Sequence, residues 1–146
     1  MSKGKVVAVC ISDTKGVRKA TCPSGAFLED YGMANDAHAE KGIKRQVSLL
    51  SVGSIEKMKA MGLNVGPGDF AENLTVEGLE LYTLNPGTRL AVGGEVILEI
   101  SQIGKACHTG CAIFKEVGKC IMPKEGVFAT VVKGGEIRAG DSIDVV

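Results

Sequence analysis

Residues 95–103 read EVILEISQI, with Val96, Leu98 and Ile100 on one side of an extended chain and Glu95, Ile97 and Glu99 on the other. Side chains of a strand alternate between faces, so this stretch is a strand with one buried face and one mostly wet face. Four other runs share its length and β-branched character: KVVAVCIS (5–12), RQVSLLS (45–51), VFATVVK (127–133) and SIDVV (142–146). Turn residues bound each of them, glycine above all, with 20 copies against 4 prolines. TRLAVGGEVILEI (88–100) and GEIRAGDSIDVV (135–146) each pass from one strand through a glycine turn into a second. A strand that leaves a barrel and re-enters it needs such a turn.

Helical signal is scarce. SIEKMKAMG (54–62) predicts one helix, with Ser54 as cap, Ile55, Met58 and Met61 at three-residue spacing and Gly62 as stop. TGCAIFKEVGK (109–119) holds a second candidate, from Thr109 to Gly118. Many short strands with few helices predict a mainly β fold, a closed or nearly closed β-barrel that removes exposed edges. No linker or low-complexity segment interrupts the chain, so residues 1–146 are expected to form a single domain.

Hydrophobic residues make up 45% of the 146 and charged residues 23%, a globular balance. Lys plus Arg and Asp plus Glu are both 17, so no general electrostatic pull draws the chain to nucleic acid or an anionic membrane. No apolar run approaches the roughly 20 residues of a membrane helix. The stretch from Val6 to Ile11 is too short for a signal peptide and is followed by Ser12 and Asp13. A cytoplasmic protein is expected, and its odd count of 5 cysteines points to reduced thiols.

KACHTGCAIF (105–114) concentrates soft chemistry, with Cys107, His108 and Cys111 within five positions and Cys120 beyond. The spacing is not that of paired zinc-ligand clusters, nor of a thioredoxin-type redox pair. Cys111 and Cys120, flanked by apolar residues, read as core. Cys107 sits among Gly, Lys, His and Thr just after a strand, and the nearby Lys105 favours a reactive thiolate there. NDAHAEKGIKRQVSLL (35–50) places Asp36 and His38 two apart, as an oriented imidazole or a turn, and Lys44 and Arg45 where a phosphate can be held. Composition alone makes this a solvated loop. GPGDFAENLTVEGLEL (66–81) opens on a turn and sets Glu72 and Asn73 beside Phe70 and Leu74, either as a polar grip for a small ligand or as an Asx-type turn.

Together with KGVRKA (15–20), the segment from Ile100 to Ile137 and the closing AGDSIDVV, these stretches resemble the MOSC family, the molybdenum cofactor sulfurase C-terminal domain, in its short stand-alone bacterial form. The resemblance implies a β-barrel that handles sulfur or molybdenum cofactor. It puts the family's hallmark cysteine at Cys107, as a persulfide carrier or a molybdenum ligand. The implied cofactor-binding set is Lys15, Lys19, Asp36, His38, Arg45, Gln46, Glu72, Asn73 and His108. Arg18 is a further cation for a pterin phosphate. The cofactor implied is the molybdenum cofactor, molybdopterin; pyridoxal phosphate belongs to a desulfurase domain fused to some members and is not expected here. The partners implied are a cysteine desulfurase or molybdopterin-biosynthesis protein and a molybdoenzyme acceptor. Alternatives are a small molybdenum-dependent reductase of N-hydroxylated compounds, which needs an outside electron donor, and a non-catalytic partner-binding barrel. Asn35 and Glu40 stand where glycines are common in the family, Lys44 where histidine is common, and Gly104, Lys105 and Ala106 replace an Arg-rich or proline-containing segment.

Overall fold

A computed structural model describes residues 3–15, 17–104 and 121–146. The strands are β1 (Lys3–Ile11), β2 (Ala20–Cys22), β3 (Ser24–Leu28), β4 (Gly32–Met33), β5 (Val47–Ser51), β6 (Leu74–Glu77), β7 (Arg89–Val92), β8 (Val96–Ile103), β9 (Val127–Lys133), β10 (Gly135–Arg138) and β11 (Ser142–Val145). Two helices, α1 (Val52–Ala60) and α2 (Met122–Glu125), and a 3-10 turn at Leu81–Thr83 complete the described elements.

Seven strands close a ring in the order β11, β7, β8, β9, β5, β6, β1 and back to β11. Closure is made by β1 against β11, with Lys3 opposite Asp144 and Lys5 opposite Ser142. The ring is antiparallel except for β5 and β6, which run parallel and are joined through α1. β8 alternates as expected: Val96, Leu98 and Ile100 are buried and Ile97 and Glu99 are half-buried. The predicted barrel is therefore present and fully closed. Of the two glycine turns read from the sequence, the first makes the β7–β8 hairpin within the barrel. The second joins β11 to β10, which pairs outside the ring with β3.

β3, β4 and β10 form a small second sheet whose inward side chains, Phe27, Met33 and Ile137, join the barrel's own core of Val6, Leu49, Leu74, Leu98 and Val131. Each of these eight is at most 2% exposed. Burying a side chain of that size contributes about 1.5–3 kcal/mol, which is what seats the small sheet on the ring. A second cluster of Leu50, Ile55, Met58, Val65, Phe70, Met122 and Phe128 lies under α1.

The helix read from residue 54 starts at Val52, directly from β5. Ser54 does not cap it; its hydroxyl donates to Glu125 Oε1 at 2.6 Å, tying α1 to α2. Ser51 occupies the cap position but donates to the Leu79 carbonyl and accepts the Leu81 N–H, so tertiary bonds take the place of a cap. Gly62 stops the helix as expected, with φ +91° and its N–H on the Lys59 carbonyl. The second helix candidate, residues 109–118, lies outside the described residues. Among the described residues no helix is long and apolar enough to cross a membrane.

Candidate functional site

β6 and β9 both begin beside Leu49 of β5, as the registers Leu49–Leu74 and Leu49–Val127 show, and β8 ends with Ile103 opposite Val127. A cleft of about 280 Å³ opens there, lined by Lys15, His38, Ile43, Arg45, Ser48, Phe70, Ala71, Met122 and Phe128. Its floor is the cross-strand pair Ser48–Phe128 of β5 and β9. The Arg45 guanidinium lies 5.8 Å from the centre of the Phe128 ring, within cation–π range, which holds its charge over the cleft. Thus the loop after β1, the loop before β5 and the segment before β6, three stretches singled out in the sequence, meet at one place.

Of the residues read as a binding set, Lys15, His38 and Arg45 line the cleft. Lys19, Asp36, Gln46, Glu72 and Asn73 are placed behind it. Asp36 is 6% exposed, so the solvated-loop reading of 35–50 fails at its centre. Asn35 before it adopts φ +69°, a left-handed conformation that asparagine tolerates better than most side chains and that accounts for glycine being common there. Lys19, 4% exposed, reaches Asp36 Oδ1 at 2.8 Å, His38 Nδ1 at 3.0 Å and Ser12 Oγ at 3.1 Å. Lys19 therefore faces His38 from behind and leaves the rim of the cleft to Lys15 and Arg45. Burial works against the charge on Asp36. Hydrogen bonds from His38 and Lys19, the ammonium itself and the Ser12 N–H outweigh it and hold the carboxyl well below the usual carboxylate range.

Gln46, Glu72 and Asn73 are all fully buried. Gln46 donates to Asp30 Oδ1 at 2.9 Å and accepts the Val131 N–H at 3.1 Å, pinning the 30–40 loop to β9. Asn73 accepts the Ser48 N–H at 3.0 Å and donates to the Cys10 carbonyl at 3.1 Å, so it stitches β5 to β1 beneath the cleft. Glu72 accepts from Thr75 Oγ1 at 2.7 Å and from the Phe70 N–H at 3.3 Å, and burial pushes its carboxyl above the ordinary range. These polar groups find their described partners within the protein. Glu72 and Asn73 directly follow Ala71, which keeps φ +63° in the cleft wall and whose carbonyl accepts from the Ser48 hydroxyl at 3.1 Å.

Arg18 pairs with Asp69 at 3.2 Å, and Asp69 also accepts the Gly66 N–H at 2.8 Å within the expected turn. Gly68 in that turn has φ +85°, and a Cβ there would lie 2.2 Å from the Lys19 carbonyl oxygen, so only glycine lets the turn rest on the segment that carries Lys19 just before β2. Ser48, Phe70 and Phe128 were not read as site residues. A serine inside the apolar run VSLLS was the available signal for the first.

Cys107 and His108 lie outside the described residues. The described residues on either side of that segment are tied together. The Gly104 N–H donates to the Gly126 carbonyl at 2.6 Å, and the Gly126 N–H to the carbonyl of Met122, which lines the cleft. Among the described residues no group of three or more His, Cys, Asp or Glu side chains is placed to hold a metal ion.

The chain's fold is shared by solved structures of low sequence identity. The YuaD protein from Bacillus subtilis superposes with a TM-score of 0.82 at 19% identity, over 98% of this chain and 95% of that one. YiiM from Geobacillus stearothermophilus gives 0.72 at 18% identity, over 98% of this chain and 75% of that one. YiiM from Escherichia coli gives 0.68 at 17% identity, over 97% and 69%. Comparison with curated proteins gives no match. The profile of the MOSC domain matches residues 35–144, from the loop that carries His38 to the strand that closes the barrel. The chain belongs to the MOSC domain family, which is associated with the molybdenum cofactor.

Proposed function

We propose that the cleft holds the pterin phosphate end of the molybdenum cofactor, and that Cys107 handles sulfur or ligates molybdenum beside it. The observation that carries this reading is the lining itself. Cations from Lys15 and Arg45 and the imidazole of His38 share one cleft with the apolar side chains of Phe70 and Phe128, and no carboxylate is among its described lining residues. That donor set fits an anionic, ring-bearing ligand, and the volume lies near the lower end of small-molecule pockets, which start at about 300 Å³. When bound, such a cofactor supplies a redox-active metal held by sulfur. The chain's part is to neutralise the phosphate, stack the ring and exclude water on the apolar side.

Cys107 follows Gly104 by three residues, a reach of no more than about 11 Å along the chain, and Gly104 is tied through Gly126 to Met122 in the cleft wall. As a carrier, the Cys107 thiolate attacks the outer sulfur of a desulfurase persulfide. The S–S bond of the donor breaks, its thiolate departs, and the persulfide is now on Cys107 with no net oxidation. The partners of this reading are a cysteine desulfurase as donor and a molybdoenzyme as acceptor.

The test is metal and pterin analysis of protein purified without air from cells supplied with molybdate. Wild type is expected to retain both and Cys107→Ala to lose molybdenum; equal retention removes Cys107 as ligand. Incubation with a cysteine desulfurase is expected to add one sulfur to the intact mass of wild type alone. Absence of that adduct removes the carrier role.

A further inference from the structure

The side chains of Lys19 and Asp36 are both 0% exposed, an ammonium and a carboxylate sealed together behind the cleft. An ammonium has three N–H donors and no lone pair, so every partner in range must accept. Lys19 has three such partners: Asp36 Oδ1, His38 Nδ1 and Ser12 Oγ, at 2.8, 3.0 and 3.1 Å. The Ser12 proton is directed to the Thr14 carbonyl at 2.9 Å, which leaves its oxygen to accept. Three protons meet three acceptors. A buried carboxylate requires the charge beside it, so the lysine is not free to become an acceptor for His38. Asp36 Oδ2 is 3.8 Å from His38 Nδ1, beyond hydrogen-bond distance, and accepts the His38 backbone N–H at 3.1 Å instead.

We propose that Lys19 is a positioning residue that locks the His38 ring in its Nε2–H form and so presents a neutral N–H donor to the ligand in the cleft. A neutral imidazole carries one ring proton, and with Nδ1 occupied as an acceptor that proton sits on Nε2. Nδ1 is taken by Lys19 and the His38 side chain, 28% exposed, lines the cleft, which leaves Nε2 as the ring nitrogen free to meet a ligand. The described polar rim then offers cations and N–H donors without a carboxylate, which selects an oxyanion, a phosphate ester foremost, over a ligand that must itself donate. This choice of ligand rests on the reading under Proposed function; the tautomer does not.

The tautomer is read by long-range proton–nitrogen correlation of the imidazole in nitrogen-15-labelled protein, at a pH where the ring is neutral. The His38 signals are assigned by their loss in His38→Gln. Wild type is expected to show the pure Nε2–H pattern. Lys19→Met, which keeps most of the volume and removes the donors, is expected to mix in the Nδ1–H form, and Lys19→Arg to restore the wild-type pattern. Inorganic phosphate is expected to shift the Nε2 proton of wild type and to bind Lys19→Met about fivefold more weakly, the loss of one oriented hydrogen bond. An Nδ1–H or mixed pattern in wild type overturns the proposal, and so does an unchanged tautomer in folded Lys19→Met. Should Lys19→Met fail to fold, wild type and Lys19→Arg decide by the same criterion. A pure Nε2–H ring that phosphate leaves untouched upholds the lock and overturns the phosphate reading instead.

Discussion

Replacing Asp36 by Asn tests whether the pair behind the cleft is a structural necessity. The amide keeps the shape of the carboxylate and an acceptor for the Ser12 N–H, but it leaves the Lys19 ammonium without an anion 2.8 Å away in a site shut off from water. Removing one partner of a buried pair costs about 3–5 kcal/mol, because the remaining charge stays desolvated. With a urea slope of about 2 kcal/mol/M for a domain of this size, the midpoint should fall by about 2 M. The double substitution Asp36→Asn with Lys19→Met removes both charges, and its cost should fall short of the sum of the two single costs by more than 1 kcal/mol. The pH dependence has a definite sign. The folded Asp36 carboxyl is held below the roughly 3.9 of an unfolded aspartate. Its contribution is therefore fully present above that value and is lost as the pH falls below it toward the folded value. The gap between wild type and Asp36→Asn should be constant from pH 5 to 8 and narrow below about pH 4. Urea unfolding followed by circular dichroism across that range provides the check. A loss under 1 kcal/mol at pH 7, or strict additivity in the double variant, would refute the reasoning.

Gly68→Ala combines a left-handed backbone with a Cβ 2.2 Å from the Lys19 carbonyl; backbone strain alone costs about 1–3 kcal/mol, and a thermal melt should show a fall of at least about 3 °C. A melt within 1 °C of wild type would remove the close approach from the account. The Cys10 thiol is fully buried, and burial, then the charge of Glu72, push it up to about 12. Peptide mapping after iodoacetamide at pH 8 should find Cys10 modified only once the protein is unfolded. Arg45→Ala should leave the urea midpoint within about 0.5 kcal/mol of wild type, as befits an exposed position, while lowering pterin and molybdenum retention; unchanged retention would take Arg45 out of the cleft's work.

Much of the barrel is legible because β1, β8, β9 and β11 carry β-branched runs bounded by turn residues, and in β8 the alternation follows the pleat. β2, β3 and β4 are not, since ATC, SGAFL and GM have little propensity of their own and exist through their partners. The start of α1 is not legible in the local sequence, because Ser51 spends its hydroxyl on Leu79 and Leu81, residues some 30 positions away. At the site, Lys15, His38 and Arg45 could be found because a cleft rim uses polar side chains in loops. Lys19 resembled them in composition and differs only in burial, which is decided by Asp36, 17 residues on. Gln46 and Asn73 find partners in β9 and β1 that lie 85 and 63 residues away, beyond the reach of local pattern.

The seam between β1 and β11 has a consequence for synthesis. Asp144 leaves the ribosome 141 residues after its partner Lys3. Until then one border of the first strand has no mate, and loop-closure entropy makes this the costliest pairing to nucleate. The nascent protein must therefore wait with an open flank, the period in which a chaperone's grip or a stray strand from another molecule competes with the proper last stave of the ring.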